Sequence, residues 1–185
     1  FDILGPLARA IRPEMLLDQG RVSNSAGPSA DIMALKGARF VFGSETDEGC
    51  RISDLAMVIE KIHNELGALI FISFGEIGLS GLERLYKAGA RGLLMRFETS
   101  NPHLYERMRP GRRLETRLMH LRKAFDMGYI ILTGALIGIP GQTEEDIVND
   151  VYLTKELHAE MYSFGPFIPH PETLLAKASS PSAQD

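Results

Sequence analysis

One cysteine, Cys50, serves all 185 residues. That scarcity excludes an internal disulfide framework and fits a reducing, cytoplasmic setting. No apolar run approaches the roughly 20 residues needed to span a bilayer, and the first residues lack the basic, apolar and small-residue layout of a secretion signal. An excess of positive charge is missing too. Twenty Lys and Arg stand against 24 Asp and Glu, a formal net charge of −4, which gives no general attraction to nucleic acid or to anionic membranes. No pair of histidines has metal-ligand spacing. The chain starts at Phe1 without an initiator methionine, which points to a fragment of a longer protein.

What is present is ordinary globular material, 44% hydrophobic and 24% charged, enough to bury the core of one domain. A unit recurs in which an amphipathic helix meets a glycine and then a short apolar strand. Its junctions are Lys36-Gly37, Leu66-Gly67, Ala88-Gly89 and Met127-Gly128. Glycine suits them because the residue after a helix often needs positive φ. Strands are expected near 39–43, 68–74, 92–98, 129–137 and 161–166. Leu55, Val58, Ile59 and Ile62 form one helical stripe; Leu114, Leu118, Leu121 and Phe125 form another. Helix starts are expected at the Ser80–Glu83 capping box, at Asn101-Pro102, and at Thr143–Asp146 with acids on the positive end of the dipole.

Strands alternating with helices imply an α/β fold with a parallel sheet and right-handed crossovers. A closed eight-stranded barrel takes about 250 residues, so the expectation is a partial (β/α) TIM-type barrel, parallel strands with outer helices. Residues 36–176 are assigned to it, 1–35 to an irregular N-terminal segment with a loop at Ser23–Ser29, and 177–185 to a disordered tail. Unclosed sheet edges would favour association with other chains.

Side chains alternate across a strand, so Leu94, Arg96 and Glu98 share one face and Leu93, Met95 and Phe97 the other. The apolar set should meet the helices and the charged pair should look into the sheet's open mouth. By the same rule Ser73 shares a face with Gly75, Thr133 with Ala135, and Ser163 with Gly165, lining a space suited to a sizeable polar small molecule. An internal Arg96–Glu98 ion pair is an equally good reading of the same spacing. The turn Gly138-Ile139-Pro140-Gly141-Gln142-Thr143 stands between strand and helix, where free N–H groups could hold an anion. It lacks the lysine and spacing of a phosphate loop, and a structural turn is the stronger reading. Arg107, Arg109, Arg112 and Arg113 read as a solvated basic loop. His63, His120 and His158 read as surface residues on helices and His103 as a helix start. His170, between two prolines beyond a strand end, is a candidate site residue. Cys50 reads as a free thiol.

Taken in order, several segments resemble the radical S-adenosylmethionine (SAM) family, in its biotin synthase-like branch and nearest to its hydrogenase-maturase group. They are Ile72–Glu76, Leu93–Thr99, Arg109-Pro110-Gly111, Leu114–Leu118, Gly138–Thr143 and Gly165–Pro171. The resemblance implies a radical SAM barrel core. It also implies a [4Fe–4S] cluster on a Cys-x3-Cys-x2-Cys loop whose open iron binds SAM, and a 5′-deoxyadenosyl radical that attacks a small-molecule substrate. By position Arg96, Glu98 and Arg117 resemble the family's SAM-contacting residues, and Ser73 another cavity-lining one. The Gly43–Asp47 turn stands where relatives present backbone to the SAM amino group. The three-cysteine loop itself is absent. What the resemblance carries to this chain is therefore the SAM pocket, with the cluster confined to the parent enzyme. Two other readings stand beside it: a catalytically inactive remnant or interaction module, and a cluster-independent barrel enzyme using Arg96, Arg117 and the Gly141 loop on an anionic metabolite.

Overall fold

The structure is a computed structural model and describes residues 39–43 and 51–181. The segment 1–35 with its Ser23–Ser29 loop, the Lys36-Gly37 junction, the turn beyond Gly43, Cys50 and residues 182–185 lie outside the described residues. In chain order the elements are β1 (Arg39–Gly43), α1 (Ile52–Leu66), β2 (Leu69–Ser73), α2 (Leu79–Ala88), β3 (Ala90–Leu94), α3 (Pro102–Met108) and α4 (Leu114–Asp126). They continue with β4 (Ile130–Thr133), β5 (Leu136–Ile137), α5 (Glu144–Glu156), β6 (Met161–Tyr162) and β7 (Gly165–Pro166).

The expected architecture holds. Five strands run parallel in the order β1-β2-β3-β4-β6, and β5 and β7 pair separately, also in parallel. Among the described residues the sheet does not close. The helix–glycine junctions form as the sequence requires: Gly67, Gly89 and Gly128 all have positive φ, letting each helix turn directly into the next strand. On α1 the stripe buries Ala56, Ile59 and Ile62; on α2 it buries Leu82 and Leu85. Each such large side chain, removed from water, contributes about 1.5–3 kcal/mol.

Register sets which residues face which way. Ile72, Leu93 and Ile131 lie level with one another and are buried, forming the layer under the helices. Phe71, Gly92 and Ile130 are level on the opposite, concave face. There the Phe71 ring lies flat over Gly92, so close that a Cβ on Gly92 would fall 1.9 Å from a ring carbon.

Several expectations are corrected. The strand expected over 92–98 is β3 and ends at Leu94. The chain beyond it still bonds to its neighbour, Met95 N donating to Leu132 O at 2.9 Å and Phe97 N to Gly134 O at 3.1 Å, and Glu98, at φ 71, makes an isolated parallel bridge to Ala135. The expected strand 129–137 divides at Gly134, where a Cβ would lie 2.1 Å from the Ser163 carbonyl. Backbone approach this close excludes any other residue and lets β4 and β5 pass to different sheets. Helix α2 does not start with a Ser80 capping box. Gly78 is its cap, with no side-chain bond, and the Gly78 N–H goes to His120 Nε2 at 3.2 Å. His120 is accordingly buried, not a surface residue. His158 lies just past the end of α5, exposed and stacked on Phe125 at 4.4 Å. The other two helix starts form as read. Asn101 Oδ1 accepts from the N–H of His103 (3.0 Å) and Leu104 (3.4 Å), and Thr143 with Asp146 makes a reciprocal capping box.

Candidate functional site

The charged residues gather at the C-terminal ends of β2 and β3, where parallel α/β folds place their ligands. Alternation survives past β3: Leu93, Met95 and Phe97 are buried under the helices, while Leu94, Arg96 and Glu98 stay partly exposed on the concave side. Arg96 donates from Nε (3.1 Å) and Nη2 (2.8 Å) to one oxygen of Glu98. Arg109, from the end of α3, reaches the other oxygen at 3.4 Å. The Glu98 carboxylate is thus held between two guanidiniums, its side chain 13% exposed. A left-handed φ at a non-glycine residue is uncommon and is tolerated where surrounding bonds over-determine it. The backbone here supplies them. Glu98 N donates to Gly134 O at 3.2 Å, and Glu98 O accepts from Leu136 N at 2.8 Å.

Ser73 ends β2 level with Gly43, on the concave side and half-buried. Thr133 does not join it. Its position is buried and its hydroxyl donates to the Met95 carbonyl at 2.7 Å, so it belongs to the layer that carries Met95. Ala135 is fully buried as well. Gly165 is on the open side, a Cβ there standing 3.9 Å from Arg96 Nη1.

Arg117 lies behind this pair, not beside it in the opening. Helix α4 buries it to 2% exposure. Its Nε donates to the Tyr105 hydroxyl at 2.8 Å and meets Glu76 at 3.2 Å, and its Nη1 donates to the Arg96 carbonyl at 3.0 Å. Burial pushes the Tyr105 phenol above its ordinary pKa, with Arg117 opposing the shift. Arg112 approaches the other Glu76 oxygen at 3.7 Å. Two carboxylates, Glu76 after β2 and Glu98 after β3, therefore each sit between arginines. Glu76, Tyr105 and the inward turn of Arg109 and Arg112 escaped sequence reasoning. The available signals were that Glu76, like Glu98, follows a strand end by a few residues, and that Glu76 and Arg109 fall in segments carrying the family resemblance.

A cleft of about 500 Å3 opens beside Glu98. Its lining includes Arg107, Arg109, Leu136, Phe167, His170 and Leu174. Of the residues singled out in the sequence, Glu98 and His170 line it, whereas Ser73, Arg96 and Arg117 do not. The Gly138–Thr143 turn offers fewer N–H groups than its glycines suggest, because Gln142 Oε1 accepts from Gly138 N (2.7 Å) and Ile139 N (3.2 Å).

A parallel sheet with outer helices and charged residues past its strand ends is the architecture of a partial (β/α) barrel, and comparison with known proteins relates the chain to the radical SAM enzymes. It is 40% identical over 125 residues to the [FeFe] hydrogenase maturase subunit HydE of Thermotoga maritima, a match covering 68% of this chain and 35% of that protein. It is 30% identical over 120 residues to the 3-methylornithine synthase of Methanosarcina acetivorans, covering 65% of this chain and 34% of the relative. The chain thus matches about a third of the length of these curated relatives. Among solved structures, methylornithine synthase (PylB) has the same fold over 84% of this chain and 48% of its own, with a TM-score of 0.73 and 23% identity. No protein-family model matches the chain.

A [4Fe–4S] cluster on three thiolates does not fit the residues present. The chain has one cysteine, and among the described residues no group of three or more His, Cys, Asp or Glu could hold a metal ion. No described helix is long and apolar enough to cross a membrane.

Proposed function

We propose that this chain binds SAM, or a nucleoside built like it, at the mouth of a partial radical SAM barrel, through Glu98 and Arg96. The observation that carries this reading is Glu98: a carboxylate in a left-handed backbone, clasped by two arginines, at the edge of a cleft past the strand ends. A carboxylate so fixed is ready to accept from ribose hydroxyls or to face a sulfonium. A guanidinium beside it offers a forked donor to the ligand carboxylate. Ser73 lines the concave side below. Arg117 acts from behind, fixing the Arg96 carbonyl and Glu76. The substrate class of this reading is a small molecule. No radical step is assigned, because the cluster that would start one does not fit this chain.

Titration calorimetry of the full chain with SAM is expected to give saturable binding. Glu98→Gln should weaken it about tenfold, the loss of one charge-assisted hydrogen bond. Absence of saturable heat up to millimolar SAM, with circular dichroism showing folded protein, would overturn the reading.

A further inference from the structure

Asp150, on the inner face of α5, is 1% exposed and has no part in the ion pairs described above. Its two oxygens serve two different loops. One accepts the backbone N–H of Ser100, in the loop that follows Glu98; the other accepts Gln142 Nε2 at 3.2 Å. Gln142 is filled on both sides. Besides the Gly138 and Ile139 amides on its oxygen, its nitrogen donates to the Leu136 carbonyl at 3.0 Å. Leu136 in turn donates its N–H to the Glu98 carbonyl. The bonds therefore close on themselves, running from Glu98 to Leu136, to Gln142, to Asp150, to Ser100 and back along two residues of chain to Glu98. Leu136 and Glu98 both line the cleft.

The chemistry of the ring requires these residue types. Both groups facing Asp150 are donors, so only an acceptor-only carboxylate satisfies them at once; an asparagine would set its NH2 against one of them. Burial raises the Asp150 pKa, and its partners in the ring are neutral amides. A buried carboxylate without a paired cation is costly, and the position would be better filled by an apolar side chain if packing were its only purpose. In its first turn α5 is tied to the same loop a second time, Asn101 Nδ2 donating to Asp146 at 2.9 Å.

We propose that Asp150 and Gln142 are positioning residues that lock the loop carrying Glu98 to the loop after β5, so that the backbone of Glu98 and the cleft-lining Leu136 move as one unit. The proposal deepens the ligand-binding reading of the same site, but the lock itself is measured without any ligand.

The test is amide hydrogen exchange on the full chain carrying Asp150→Asn or Gln142→Ala, with Tyr129→Phe as a control. Tyr129 donates to the Leu82 carbonyl at 2.7 Å in the buried layer between α2 and β4, and its loss weakens the fold without touching the ring. The informative amides are those that lose no partner directly. In Gln142→Ala the Ser100 amide should exchange about tenfold faster, although its acceptor Asp150 is intact. In Asp150→Asn the Gly138 and Ile139 amides should do the same, although their acceptor Gln142 is intact. The double variant should add little to either single one. If Asp150→Asn does not fold, Gln142→Ala alone decides through Ser100. Exchange at these remote amides no faster than in Tyr129→Phe would overturn the lock. A further arm titrates each variant with SAM. If the unaltered chain fails to bind SAM, the ligand reading fails while the exchange result still stands or falls separately.

Discussion

Arg117 is an arginine buried inside the protein. It joins Glu76, the Tyr105 hydroxyl and the Arg96 carbonyl in one buried cluster. Replacing it by methionine would preserve bulk but leave the Glu76 carboxylate facing only Arg112 at 3.7 Å. Removing one partner of a buried ion pair costs about 3–5 kcal/mol; with Arg112 in reach, Arg117→Met is expected to lower the urea unfolding free energy by about 3 kcal/mol. Adding Glu76→Gln should restore part of that loss. An unchanged midpoint would show that the cluster bears no stability. Arg96, Glu98 and Arg117 are singled out in the sequence by a period-two pattern and by likeness to a family. Their contacts are not legible there. Burial of Arg117 depends on α3 and α4 packing Tyr105 over it, and sequence spacing carries no such information.

At the scale of elements, β2 and β3 meet through an asymmetric pair, a phenylalanine laid over a glycine. The strand alternation was readable, and so was a glycine in β3, but not its reason. Gly92 faces Phe71 only because the register slips between Ile70 and Phe71, the strands pairing Ile70 with Ala90 but Phe71 with Gly92. Gly92→Ala would force the ring aside, and overpacking of this kind costs about 1–3 kcal/mol. The combination with Phe71→Leu, which removes the flat ring, should be more stable than Gly92→Ala alone in thermal unfolding. Equal or greater damage in the double variant would mean that the contact is not the cause. The helix ends separate in the same way. Asn101 and Thr143 cap as their local sequence demands, because their partners lie within three residues. Ser80 does not cap, because the distant His120 ring fixes the turn before α2 and the helix starts at Leu79.

At the scale of the molecule, large apolar side chains stand exposed along the last strands and the segment beyond them. Met161, Tyr162, Ile168 and Leu174 are all more than half exposed, and Val148, Val151 and Tyr152 make an exposed stripe on α5. Patches of this kind and an unpaired edge at β6 favour association. Light scattering of the isolated chain is expected to show a mass that rises with concentration, and Met161→Lys with Tyr162→Lys should reduce the rise. A monodisperse monomer at high concentration would refute this.

Local chemistry in the sequence was enough to determine the alternation of helix and strand, the glycine at each described junction, the parallel α/β class and the kinship with radical SAM enzymes. These depend on periodicity, on φ preferences and on motif order, all of which act within a few residues. Tertiary structure alone decided that Glu98 is twisted into a left-handed backbone between two arginines. It also decided that Arg117 is buried against Glu76 and the Arg96 carbonyl, that His120 is interior, and that Gln142 fills the glycine turn instead of leaving it open to an anion. These depend on partners brought in from other elements, from 11 residues away for Arg109 and Glu98 to 42 for His120 and Gly78, or on side chains competing for the same backbone N–H. Such competition is settled only when the chain has packed.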